Sequence, residues 1–365
     1  SGGAIYLSNG KLYTLSAVKF TGNYAWMGGA VYLEIITSIK ISMCTFMNNR
    51  AQWKGGAVFV NQSISVIHTH CTFVGSKVQF SIGEQLIGAN VCGGTVSVSW
   101  SQIVLNFKLK FLDNHALKNP VYFWYDRAHN GGAMILSNVK NVTNVKCSFL
   151  HNSAEIRGGA IFTREIGIFI NVCCVFINNT VFSDTVWSVS GGALYTEWFL
   201  ELVMLNTCYF SQNKVSSRGE GGAVSMVNSD GDYTLCLVFN STFVKNSAEE
   251  AGALYVSDGN ILPTIDLKIQ YCLFVKNFAI YQAGALSINS LANVILHKNI
   301  FVNHTAARRS AGSIFIIDVN NITHIKCTFF FNRAQDQGGA IYGEFVKALR
   351  CILCHFEFNS ASYGS

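Results

Sequence analysis

Proline is almost missing from this 365-residue chain, which has only Pro120 and Pro263. Proline removes a donor from a hydrogen-bonded ladder, so its scarcity suits a chain built mostly of paired strands. Charge is also sparse, at 13% of residues against 50% hydrophobic, and that balance excludes a disordered chain. Yet no apolar run reaches the ~18–20 residues of a membrane span. The most apolar segment, Trp187 to Leu205, is interrupted by Ser188, Ser190, Thr196, Glu197 and Glu201. A dense basic run is lacking as well. The net charge is +6 and the one tight pair is Arg308-Arg309, which argues against a nucleic-acid partner. No secretory leader is legible. The chain opens inside a repeat, so its natural start is expected upstream of Ser1.

What the chain does have is a repeat. A small pair followed by Ala and an aliphatic residue begins at Gly2, Gly28, Gly55, Gly93, Gly131, Gly158, Gly191, Gly221, Ala251, Ala283, Ala311 and Gly338. Interleaved with it is F-x-x-N, starting at Phe20, Phe46, Phe73, Phe111, Phe149, Phe176, Phe210, Phe243, Phe274, Phe301, Phe329 and Phe356, with Ser76 and His304 replacing Asn in two copies. Small pair to Phe is 18 residues in nine repeats, while the return gap varies from 5 to 17. One side of each unit is fixed in length and the other accepts insertion. That is how a coil with a rigid strand path and one permissive corner behaves.

Within a unit the apolar residues alternate with period two, and β-branched and aromatic types dominate. Phe and the residue two before it, usually Cys, then share the inward face. The chain is therefore expected to be all-β: a single-stranded parallel β-helix, or solenoid, of about twelve coils, one continuous unit over residues 1–365. Glycine serves the corners, Phe fills the interior, and the recurrent Asn is expected at a left-handed turn position with its amide bonded along the stack.

The pairing of GGA[ILV] with FxxN, from Gly2 to Asn359, resembles the repeats of the chlamydial polymorphic outer-membrane proteins. The resemblance implies a right-handed β-helix passenger with adhesive roles, and the handedness rests on it alone. No membrane barrel domain accompanies the repeats here, so the outer-membrane setting does not carry over.

Neither end shows a polar capping segment, so the chain is expected to be a segment of a longer rod or a unit that stacks head to tail. Eight of the twelve cysteines stand two before the motif Phe: Cys44, Cys71, Cys147, Cys174, Cys208, Cys272, Cys327 and Cys354. They read as a column of buried thiols, with disulfides between neighbouring coils as the alternative. Sequons at Asn61, Asn141, Asn178, Asn240, Asn303 and Asn321 favour a secreted, glycosylated protein at the cell surface or beyond it.

β-Helices also host pectate-lyase-like enzymes, whose chemistry needs carboxylates clustered on adjacent coils. Glu34, Glu197 and Glu344 share one position but lie about five coils apart, roughly 24 Å at strand spacing. No catalytic set is assigned. Asp230, Asp232 and Asp258, in neighbouring lengthened turns, are the candidate Ca²⁺ ligands, although Asp-Gly is also a common turn. No other metal and no cofactor is expected. A binding surface is the better prospect. The outward residue after the aliphatic position is aromatic in eight coils, namely Tyr6, Tyr32, Phe59, Phe162, Tyr195, Tyr255, Phe315 and Tyr342. They would make an exposed stripe for lateral packing or sugar stacking, unless loops or glycans cover them. Long insertions at 76–92, 114–130 and 179–190 project from one corner, the second carrying Tyr122, Trp124 and Tyr125. The expected function is an extracellular structural or adhesive rod, forming filaments through end-to-end coil stacking. Its partners are copies of itself or cell-surface and matrix glycans. A carbohydrate-binding or polysaccharide-cleaving β-helix is the alternative.

Overall fold

The computed structural model describes residues 2–79, 91–117, 128–183, 189–216, 218–228, 233–260 and 263–363. All its regular structure is parallel strand, in three stacked sheets of 17, 15 and 12 strands. One coil shows the plan. A long strand, Val31–Ser42, leads to a short one, Thr45–Met47, and a third, Arg50–Lys54, before the next glycine pair. The short sheet has one strand per coil, so twelve rungs are stacked, about 50–55 Å from first to last. Among the described residues no helix is long and apolar enough to cross a membrane.

Inside, like residues meet like. All twelve motif phenylalanines stack in one file, ring centroids 4.6–5.1 Å apart and planes within 3–11° of parallel. Phe46 and Phe73 are 4.8 Å apart. The file belongs to one continuous hydrophobic core running the length of the stack.

Beside the rings runs a file of asparagines. The Asn179 side chain donates through Nδ2 to Phe149 O of the coil before and to Asn213 Oδ1 of the coil after, and its backbone N–H donates to the same Oδ1. Neighbouring rungs repeat the pattern at 3.0–3.4 Å. The Asn itself is not the left-handed residue, which corrects the sequence expectation. That conformation belongs to the residue before it (φ 51–67° at all twelve rungs) and, on the other side of the short strand, to the residue three before Phe (φ 47–56°). With the turn closed by its neighbour, the Asn side chain is free to point inward and join the ladder.

The two departures from Asn are visible as defects. His304 accepts Asn277 N–H on Nδ1 at 3.0 Å. Ser76 passes only its backbone N–H to Asn114 Oδ1, and its buried Oγ has no hydrogen-bond partner. Ser76→Asn is expected to raise stability by about 1–2 kcal/mol, the worth of two restored hydrogen bonds. A higher urea midpoint in equilibrium unfolding checks this.

The small pair divides its labour. The first residue is left-handed (φ 55–65° at Gly131, Gly158 and Gly191), and Ala251, Ala283 and Ala311 adopt the same angle at 53–63°. The second is glycine in all twelve coils. There a Cβ has nowhere to go: on Gly192 it would lie 2.1 Å from Gly222 O and 2.7 Å from Lys214 N.

Candidate functional site

The outward aromatics do not form an exposed stripe. In register they run Phe162–Tyr195–Ser225–Tyr255–Ser287–Phe315–Tyr342 along the long sheet. Tyr32, Phe59, Phe162, Tyr195, Tyr255 and Phe315 are buried, with exposures of 0–7%; Tyr342 is half-buried and only Tyr6 is open. The expectation of an open stripe is corrected for those six. The physical reason lies in the corner. Each side chain leaves the strand beside the small first motif residue, and where that is glycine the missing Cβ makes room: a Cβ on Gly191 would meet Tyr195 Cβ at 2.9 Å, and one on Gly55 would meet Phe59 Cβ at 2.9 Å, whereas beside Phe315 the ring packs on the Ala311 methyl. Rings of successive coils then close over that gap, as Tyr32 does on Phe59 at 5.1 Å and Phe162 on Tyr195 at 5.7 Å. The column is a second apolar seam outside the main core.

Charged side chains gather along one stretch of this seam. Glu197 is buried and takes ion pairs from Arg157 Nη1 at 3.0 Å and from Arg164, with the Tyr195 hydroxyl donating to Glu197 Oε2 at 3.0 Å. Arg157 also lies 4.9 Å over the Tyr195 ring. In the register file of Arg157, two coils on from it, Glu220 and Glu250 stand side by side, followed by Gln282. They line a pocket of about 400 Å³ that Arg218, Glu249, Tyr281 and Arg309 complete. Burial, then the neighbouring Glu250 carboxylate, pushes Glu220 up to about 7, against the pull of Arg157. Burial raises Glu250 as well, while the Ser287 hydroxyl, donating to its Oε1 at 2.9 Å, opposes the rise. A carboxylate pair on adjacent coils, one member sharing a proton near neutrality, is able to act as acid and base toward a bound hydroxyl or glycosidic oxygen. Sequence reasoning missed it by comparing carboxylates at another repeat position. The signal was Glu immediately before the small pair in two consecutive coils, Glu220-Gly221 and Glu250-Ala251.

The coil geometry now supports a comparison. Phe46 to Asn49 and Gly55 to Val58 lie on one turn, the first closing the short strand and the second opening the next long one. Residues 43–61 match the family model of the Chlamydia polymorphic membrane protein repeat. The matched stretch holds one copy of each motif, and the fold that carries this polymorphic membrane protein repeat is a parallel β-solenoid. No curated protein and no solved structure matches the chain.

The other candidate residues fall as follows on the repeat. Asp258 is buried and spent within its own turn, accepting from Asn260 N (3.0 Å), Thr264 N (2.6 Å), Thr264 Oγ1 (2.9 Å) and Ile265 N (3.1 Å). That occupies both oxygens of Asp258 in organising the turn. Asp230 and Asp232, like Tyr122, Trp124 and Tyr125, lie outside the described residues. Among the described residues no three His, Cys, Asp or Glu side chains meet as a metal site would require.

Cys44, Cys71, Cys147, Cys174, Cys208, Cys272 and Cys327 are buried in one column, Cys354 is half-buried, and all eight are free thiols. Several donate to a carbonyl one coil back, as Cys208 does to Asn171 O (3.4 Å) and Cys327 to Leu296 O (3.3 Å). Burial lifts Cys71 and Cys327 to about 11 and Cys272 to about 12, so these sulfurs stay protonated and inert. Of the sequon asparagines, Asn178, Asn240, Asn303 and Asn321 are exposed, whereas Asn61 and Asn141 are half-buried within long strands.

Proposed function

We propose that the chain works as a surface-displayed β-helical rod, a structural and adhesive scaffold that binds along its sides, assembles with copies of itself and catalyses nothing. The observation that carries this reading is the contrast between the two sides of each strand. The inward files of Phe and Asn are held nearly constant over twelve rungs, while the outward residues change from rung to rung. A constant interior with a varied exterior makes a stiff support that displays many different contacts. The family match and the exposed sequons support a setting outside the cell, where the partners are other copies or glycans of cell surfaces and matrix. Antibodies raised against the folded rod are expected to label intact, unpermeabilised cells that carry it. Labelling that appears only after permeabilisation overturns the display reading.

One observation favours a second reading, polysaccharide cleavage, and it is the Glu220–Glu250 pair in its pocket. If the rod cleaves glycosidic bonds there, Glu220→Gln and Glu250→Gln each lower the rate by about 100-fold or more, the usual worth of a positioned proton donor or acceptor. Cleavage by the purified chain that is lost in both variants decides for the enzyme. Absence of cleavage across neutral and acidic polysaccharides decides for the scaffold.

A further inference from the structure

The short sheet turns its phenylalanines inward and its other side to solvent. At each rung that side and the corner beyond it present five outward positions: the left-handed residue before the strand, the two strand residues flanking Phe, the left-handed residue after it, and the residue following the Asn, which opens the next sheet. The first of these columns carries Lys108, Lys146, Lys298 and Lys326. The strand residues add Lys19 and Lys110, and the second left-handed column adds Lys245 and Lys276. Arg50, Lys77, Lys214 and Arg333 follow the Asn position, round the turn, where they open strands of the adjoining 15-stranded sheet and border the face. All twelve are exposed, and they occupy ten of the twelve rungs.

The same sixty positions hold only two acids, Asp113 and Glu357. The face thus takes twelve of the chain's 26 Lys and Arg but two of its 20 Asp and Glu. It carries ten positive charges in excess, while the remainder, 14 basic against 18 acidic residues, is net negative by four. The modest overall charge conceals this segregation.

Nor is the charge neutralised within the fold. Among the described residues no ion pair involves any of the twelve. Three of them lie over rings instead: Arg50 on Tyr24 (5.8 Å), Lys108 on Phe107 (5.2 Å) and Lys298 on Tyr271 (5.1 Å). Between the basic columns runs a file, charged only at Glu357 in the last rung, that includes Val74, Leu112, Leu150, Val244, Val275 and Val302, half-buried against one another in register.

We infer that this face binds a linear sulfated polysaccharide laid along the rod axis. Charge complementarity selects a polyanion. The basic columns run parallel to the axis with rungs ~4.8 Å apart, which matches a stretched chain with charges on successive sugar rings better than a compact anion. The flat file of valines and leucines between them offers a bed for ring faces. An anionic membrane is the poorer fit, because these apolar side chains lie flush with their neighbours while the lysines stand out on both margins. The inference draws on the display reading only for where such a polymer is met, so binding and surface labelling fail independently.

The test uses the whole unglycosylated chain, because Asn178, Asn240 and Asn303 stand on this face. Heparin is the probe, with chemically desulfated heparin, anionic phosphatidylserine vesicles and single-stranded DNA as comparisons. Heparin is expected to bind at physiological ionic strength, weakening as salt rises. Desulfation is expected to cost at least tenfold, as is Lys108→Glu with Lys146→Glu, and separately Lys245→Glu with Lys276→Glu. Lys11→Glu with Lys347→Glu, off the face, is expected to change affinity less than twofold. No heparin binding, equal loss in the off-face variant, or vesicles or DNA bound as tightly as heparin each overturns the inference. Unchanged circular dichroism in every variant keeps loss of fold from imitating loss of binding.

Discussion

Gly192→Ala is expected to break the stack at its seventh rung, whereas Gly191→Ala, one residue earlier, is expected to be borne. At Gly192 the added Cβ would be 2.1 Å from Gly222 O, a backbone atom of the next coil. Neither coil is able to move away, because Gly192 N–H donates to Gly221 O at 3.1 Å and Ala193 N–H to Ala223 O at 2.9 Å. Relief therefore requires opening the ladder, at a cost on the order of 4 kcal/mol, the severe end for a single substitution. In a solenoid that cost falls on the interface between neighbours, so exchange protection should drop on both sides of the rung. Gly191 is a different case. A Cβ there also meets backbone, Leu194 O of its own coil at 2.3 Å, and its φ of 65° strains an alanine by about 1–2 kcal/mol, but Ala251, Ala283 and Ala311 already hold a Cβ in that conformation in three other coils, so the corner has room to adjust. Urea midpoints and amide hydrogen exchange on the two variants check the contrast. Equal losses would falsify the division of roles within the glycine pair.

That contrast also marks what was legible in the sequence. The rung count, the inward Phe file and the Cys positions follow from two interleaved motifs at near-constant spacing, because a period of two assigns every strand residue to one face. The same logic says nothing about what folds over the outward face. Phe162 and Tyr195 alternate as surface residues should and are nevertheless buried, since the neighbouring Cβ-less corner lets the rings close over it. The left-handed turn was placed one residue late, because Asn has the propensity for it, but the ladder claims the Asn side chain and Asp113 or Lys245 takes the strained angle instead. Glu220 and Glu250 escaped because a functional pair in a solenoid is separated by one whole coil, about thirty residues, and only register brings it together. The basic face escaped for the same reason: scattered lysines become columns once the rungs are aligned.

Acid is expected to unfold the rod between about pH 6 and 4, through histidines that the core buries uncharged. Burial lowers His68 to about 4, His304 to about 3 and His324 to about 4. His68 at least has a partner, Asn106 Oδ1 at 2.8 Å from Nδ1, which partly offsets the fall. Both ring nitrogens of buried His324 lack one. In the unfolded chain these residues protonate near 6.5, so below that pH the unfolded state binds protons that the folded state refuses. Stability contributed above pH 6.5 is thus lost as pH falls through the folded values. Each histidine accounts for roughly 3 kcal/mol by pH 4, about 10 kcal/mol together, comparable with the whole stability of an ordinary domain. Glu220 works in the opposite sense. Its folded value of about 7 lies above the unfolded carboxylate value, so its contribution is complete below the unfolded value and is lost as pH rises toward 7. The two trends place maximum stability at about pH 7, with the acid limb steeper because three groups act there. His324→Leu tests the account most directly, since the register partner on the preceding coil is already Leu296. The variant is expected to match the parent or exceed it at pH 7 and to recover about 3 kcal/mol at pH 4 in urea unfolding followed by circular dichroism. An acid limb equally steep in parent and variant would show that the buried imidazoles do not govern it.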